Sequence, residues 1–104
     1  MRRLRMAGLA ADELKADIAR IRRSNATAAA RYAAGIRATI MRAQESPAAG
    51  AWVLDADPPQ RWRQMIYRNH RIIYRYDDQH VIVLRVFDGR RDPRELEETS
   101  ERSG

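Results

Sequence analysis

The chain has 104 residues, twenty of them basic against fourteen acidic, a formal net charge of +6 and no cysteine. That length suits one domain with a single core, and the lack of cysteine excludes a disulfide framework, a thiol nucleophile and a Cys-based zinc site. A sequence pI of about 10.7 favours an acidic partner, whether nucleic acid, acidic protein or anionic membrane.

Nineteen of the twenty basic residues are arginine, Lys15 being the exception, and arginine is the better fork for carboxylate and phosphate. The seventeen alanines beside them fit a GC-rich codon bias equally well, so position carries more than number. The N-terminus begins like a signal peptide, but the uncharged run 6–11 is too short for an apolar core and Asp12 ends it. No stretch approaches the ~20 apolar residues of a membrane span, which makes a soluble cytoplasmic protein the expectation.

In chain order, Arg-Arg-Leu-Arg-Met at 2–6 alternates as a short strand would, with Leu4 and Met6 on one face. Leu14, Ile18 and Ile21 then predict a helix over 10–23, acidic near its start at Asp12 and Glu13 and basic at its end. Asn25 is placed to cap a second helix ending near Gln44, whose stripe is Ala29, Tyr32, Ala33, Ile36 and Ile40. The two form an antiparallel hairpin. Pro47 and Gly50 stop the second helix, and 45–60 reads as an irregular connection of no legible role.

From Trp62 the period changes to strands, predicted at 62–68, 71–76 and 81–87 and joined by short polar loops as an antiparallel meander. "VIVL" is apolar on both sides, so the last strand should lie inside the sheet. If both turns keep even parity, Ile66, Ile73, Ile82, Leu84 and Val86 share one face, and Met65, Tyr67, Ile72, Tyr74, Val83 and Phe87 the other. A sheet with two apolar faces needs two covers, and the helical hairpin supplies one. A partner or a folded-back C-terminal segment is expected to supply the second. The fold class is therefore α+β: a short N-terminal strand, then a helical hairpin packed on an antiparallel meander. A single domain over 1–93 precedes a charged tail at 94–104, read as a frayed helical turn or disordered.

The last strand runs into "DGRRDPREL", where Arg90, Arg91 and Arg94 exceed what a turn requires. Either they solvate a strand end and pair with Asp88 and Asp92, or they are aimed at an anionic target. His70 and His80 read as solvated turn residues, and no metal site, cofactor or phosphate-cradling glycine loop is legible. Tyr67, Tyr74 and Tyr76, interleaved with Arg63, Arg71 and Arg75, fit strand core better than a stacking surface for nucleic acid.

Several stretches resemble the RelE/ParE superfamily of type II toxins. These are Ala10-Ala11-Asp12-Glu13-Leu14, "NATAAAR" at 25–31, Pro47-x-x-Gly50, and above all "HRIIYRYDDQHVIVLRVFDGRRDP" at 70–93. The last is similar to the Tyr-Arg-Ile-x-Tyr-Arg strand and the His-Gly-Arg-Arg-Asp ending of ParE-like members, with His70 where tyrosine is common and Asp88 where histidine is common. The resemblance implies the same α+β fold, a cognate ParD-like antitoxin in a hetero-oligomer, and DNA gyrase as the target, poisoned without catalysis through Arg90, Arg91 and Arg94. It also implies an antitoxin contact over the second sheet face, assigned to Tyr67, Tyr74, Arg85 and Phe87. The alternative is a RelE-like ribosome-dependent mRNA ribonuclease, with Arg68, Arg90 and Arg91 as its cations. Cleavage at a 2′-hydroxyl needs a base and an acid as well. No tyrosine follows Tyr76 and no histidine follows His80, which favours gyrase.

Overall fold

A computed structural model describes residues 1–90 of the chain. The order is β1 (Arg3–Met6), α1 (Gly8–Ser24), α2 (Ala26–Glu45), a 3-10 turn (Pro47–Ala49), β2 (Ala51–Trp52), β3 (Arg63–Tyr67), β4 (His70–Tyr76) and β5 (His80–Asp88). These strands form one five-stranded sheet in the order β1-β5-β4-β3-β2, antiparallel except where β1 runs parallel to β5. The α+β class, the helical hairpin and the meander are as the sequence predicts. β5 lies between β1 and β4, which accounts for its apolar character on both sides.

The helix α1 starts two residues earlier than the charge pattern suggests. Ala7 alone connects it to β1: its N–H donates to the Val83 carbonyl and its own carbonyl accepts from Ala11, so strand passes into helix without a loop. Leu14, Ile18 and Ile21 pack toward the sheet as predicted. Asn25 caps α2 by accepting a 2.9 Å bond from the Ala28 N–H, satisfying one of the donors a helix start leaves open. On the helix side the core comprises Tyr32, Ile36 and Ile40 of α2 against Ile72, Val83 and Val86, with Tyr74 and Val81 continuing it toward Ala43.

The predicted face assignment fails at the end of β5. Ile73 pairs with Arg85 but Tyr74 with Val83, so Leu84 is an extra residue, a bulge, and parity inverts beyond it. Val86 therefore joins Ile72 under the helices, and Phe87 joins Ile73, Ile82 and Leu84 on the opposite face.

That opposite face is covered by the chain itself. Val53 and Ala56, from the connection given no legible role, and Trp62, predicted to open the strand 62–68 but lying just before β3, are buried against Ile73, Ile82, Leu84 and Phe87, and the Val53 N–H donates to the Trp62 carbonyl. Burying each large side chain of this strap stabilises by roughly 1.5–3 kcal/mol. Asp55 latches it by accepting bonds of 2.7 and 2.8 Å from Arg71, whose Nε also donates to Gln64. A partner is not needed to close the second face, contrary to expectation.

Candidate functional site

The sheet end where β5 finishes gathers most of the candidate residues. β3 and β4 are joined through Arg68 and Asn69, and Arg68 takes a positive φ of 54°, a region that disfavours side chains. The Asn69 carbonyl accepts a 2.6 Å bond from the Gly89 N–H, which docks the hairpin tip against the exit of β5. Arg68 and Arg90 thus project from the same end of the sheet. Arg91 and Arg94 lie outside the described residues.

Arg90 is solvated, its side chain 76% exposed, and it is clamped on Asp88 through Nε at 2.9 Å and Nη2 at 2.6 Å, while its N–H donates to the same carboxylate. These bonds hold the Asp88 carboxyl well below the usual carboxylate range. The pairing of Arg90 with Asp88 is the bland expectation, and it still leaves most of the guanidinium facing water.

Behind this clamp lies a cleft of about 420 Å³ lined by Glu13, Asp17, Arg20, His70, Phe87 and Asp88, among others. His70 is not the solvated turn residue expected from sequence. Its side chain is only 15% exposed, its Nε2 lies 3.4 Å from Asp17, and its ring meets Tyr32 edge-on with centroids 5.0 Å apart. The Tyr32 hydroxyl donates to Asp17 at 3.2 Å, and Arg20 donates to the other Asp17 oxygen at 2.8 Å. Burial first, then the Asp17 charge, pushes the Tyr32 phenol up from its ordinary value. His80 is likewise not a turn residue: it opens β5 opposite Arg3 of β1, its Nδ1 3.8 Å from Asp77.

Beside the cleft, Glu13 closes the stretch of β5 that β1 leaves unpaired. It accepts from Arg85 Nε at 3.0 Å and Nη2 at 2.8 Å and from the Val86 N–H at 3.1 Å. Sequence reasoning missed Glu13, Asp17, Arg20 and Tyr32 as parts of a site. One signal was present: Asp17 falls within the apolar stripe 14, 18, 21 of α1, and a carboxylate there implies an inward-facing partner.

The four residues assigned to an antitoxin do not share one accessible face. Tyr74 is buried under α2 with its hydroxyl donating to the Pro47 carbonyl at 2.6 Å, and Phe87 is buried under the strap on the opposite face. Arg85 is buried in its bond to Glu13, and Tyr67 is half-buried against α2. Among the described residues no group of three or more histidine or carboxylate side chains converges to hold a metal ion. No described helix is long and apolar enough to cross a membrane.

Chemically, this end of the sheet exposes the Arg68 and Arg90 cations to solvent, while His70, Asp17 and Tyr32 contact one another behind it. The sequence family described as the ParE toxin of type II toxin-antitoxin system, parDE, matches residues 4–93. No curated protein matches the chain.

Proposed function

Since this chain belongs to the ParE toxin family of type II toxin–antitoxin systems, we propose that it poisons DNA gyrase, trapping the broken-DNA complex by contact rather than by catalysis. The observation that carries this reading is the Arg68–Arg90 end of the sheet: exposed guanidinium groups held by backbone docking and by Asp88, with the proton-transfer groups turned inward. Arg91 and Arg94 follow Arg90 closely in the sequence. Inducing the toxin without its antitoxin should give double-strand breaks and an SOS response with intact messages. Codon-phased cuts in translated mRNA without DNA damage would refute the proposal.

That second outcome is the RelE-like reading, and one observation favours it. Arg68, Arg90 and His70 stand at one end of the sheet, so cations and one titratable ring lie close together there. Its weakness is chemical: His70 is held by Asp17 and Tyr32, and Tyr32 strongly retains its proton.

For the antitoxin we propose an acidic, amphipathic segment meeting Tyr67 and the groove beside it, between Arg42 and Glu45 of α2 and Met65 and Ile66 of β3. β2 pairs with β3 only at Arg63 and Gln64, so the outer edge of Met65–Tyr67 has no strand neighbour among the described residues. Tyr74 lies beneath this groove at the Gly50 corner, whereas Arg85 and Phe87 are buried on β5 against Glu13 and the strap, away from it. Titrating the adjacent gene product should broaden the amide resonances of Met65–Tyr67 in NMR spectra, and changes confined to the strap would place the contact elsewhere.

A further inference from the structure

The opposite corner of the sheet carries a second basic feature that the toxin reading does not use. Trp52 and Arg63 are paired across β2 and β3, and the Arg63 Cζ lies 3.9 Å over the indole. Arg63 Nη1 donates to the Gly50 carbonyl at 2.8 Å and the Ala48 carbonyl at 3.2 Å, and its Nε is buried without an acceptor. Backbone and indole therefore hold this guanidinium. Its Cζ also lies 6.0 Å from the Tyr76 ring, and that ring carries Arg2 at 5.2 Å on its own account. Arg2 is tied by its Nε to the Asp77 carbonyl at 2.6 Å, and its carbonyl accepts from Gln44. The result is a row of Arg2, Tyr76, Arg63 and Trp52.

Two properties of this row bear on what it could bind. Among the described residues neither Arg2 nor Arg63 makes an ion pair, whereas Arg20, Arg71, Arg85 and Arg90 all do. And Trp52, although covered by Arg63, keeps 37% of its surface exposed, whereas Trp62 is buried under the strap. Cations fixed before any ligand arrives lose little freedom on binding, and an exposed indole beside them offers a π-face. An acidic peptide would satisfy the cations but leave the indole without a matched partner. A nucleotide satisfies both, since every base has a π-face and every linkage a phosphate.

We propose that Arg2, Trp52, Arg63 and Tyr76 form a binding site for single-stranded nucleic acid, with one base stacked on Trp52 and the adjoining phosphates on Arg63 and Arg2. The site is independent of the basic end at Arg90 and of the identity of the toxin's target. Tyr76 and Arg63 take part in stacking as the sequence allowed. Tyr74 does not, being core.

The test is titration of the purified full chain with a short fluorescent oligothymidylate, followed by anisotropy and by tryptophan emission. Binding should quench the exposed Trp52, and Trp52→Phe should remove the quenched component because the remaining Trp62 is buried. Trp52→Leu should weaken binding by about tenfold, the scale of one lost base–aromatic stack. Arg2→Gln, a change at a half-exposed position, should reduce the slope of log K against log salt by about 0.7, one phosphate contact on a single strand. Binding that is unaffected by Trp52→Leu and leaves Trp52 emission unchanged would overturn the proposal, as would equal affinity for a duplex of the same length. Quenching by polyglutamate but not by the oligonucleotide would also overturn it, and would identify the corner as a protein-binding surface.

Discussion

Replacing Gly50 with alanine sets two opposing effects against each other. Gly50 has φ −67° and ψ 148°, a conformation open to any residue, so the backbone term favours alanine by about 0.4–1 kcal/mol through the unfolded chain. Sterically the site is closed. A Cβ there would overlap the Tyr74 hydroxyl and stand 2.9 Å from its Cζ and 3.0 Å from the Gln64 carbonyl oxygen. Tyr74 is wholly buried and cannot swing out, and its hydroxyl is engaged by the Pro47 carbonyl. Overpacking of a core costs about 1–3 kcal/mol and a disturbed hydrogen bond about 0.5–1.5 kcal/mol, so the steric side wins. Gly50→Ala should destabilise by about 2 kcal/mol, which equilibrium urea denaturation reads as a midpoint lowered by roughly 1 M. Tyr74→Phe removes the atom in conflict but strands the Pro47 carbonyl, so alone it also destabilises. Combined with Gly50→Ala it should recover at least about 1 kcal/mol relative to the sum of the two. A Gly50→Ala protein as stable as the parent, or strictly additive variants, would refute this account of the corner.

Four further outcomes follow from the same structure. Asp55→Ala should release the strap, costing about 1 kcal/mol after allowance for the partial exposure of the pair, and hydrogen exchange should rise in 53–62 while β5 stays protected. Leu84→Asp should abolish the cooperative unfolding transition by burying an unpaired charge, whereas Arg90→Ala, on a solvated side chain paired with Asp88, should lower the urea midpoint only slightly and reduce toxicity on induction. Asp55 and Asp88 are depressed by Arg71 and Arg90 respectively, so their contribution to stability is complete above the unfolded value of 3.8 and is lost as pH falls through their lower folded values; denaturation midpoints followed from neutral pH into acid should decline in that window. Tyr32 and Tyr74 are raised mainly by burial, so above their ordinary value of 10.0 the unfolded chain loses protons first and stability should fall, more shallowly in Tyr74→Phe.

Where one element explains its own pattern, the sequence was readable. The stripes of α1 and α2, the Asn25 cap and the three meander strands each follow from local periodicity, and each lies within two residues of its predicted bounds. What could not be read depends on distant contacts. Val53, Ala56 and Trp62 sit at irregular spacing in a proline-rich stretch, and only the apolar face they meet gives them a role. The Leu84 bulge has no local mark, because every residue from Val81 to Phe87 except Arg85 is an ordinary strand former or apolar filler. The basic end was legible in Arg90 and the resemblance. Its inner layer was not, since Asp17, Tyr32 and His70 come from three separate elements and none is unusual alone.

The single extra residue at Leu84 acts as a rudder for everything downstream. Because strand side chains alternate, one inserted position turns Asp88 toward α1 and His70, with which it is paired, instead of toward the strap. The heading of Asp88, and of the Arg90 guanidinium clamped on it, is therefore decided by a count made inside the core, several positions before the surface is reached. A lineage of such chains could redirect its basic end from one flank of the sheet to the other by losing or regaining one residue there, without altering a single arginine.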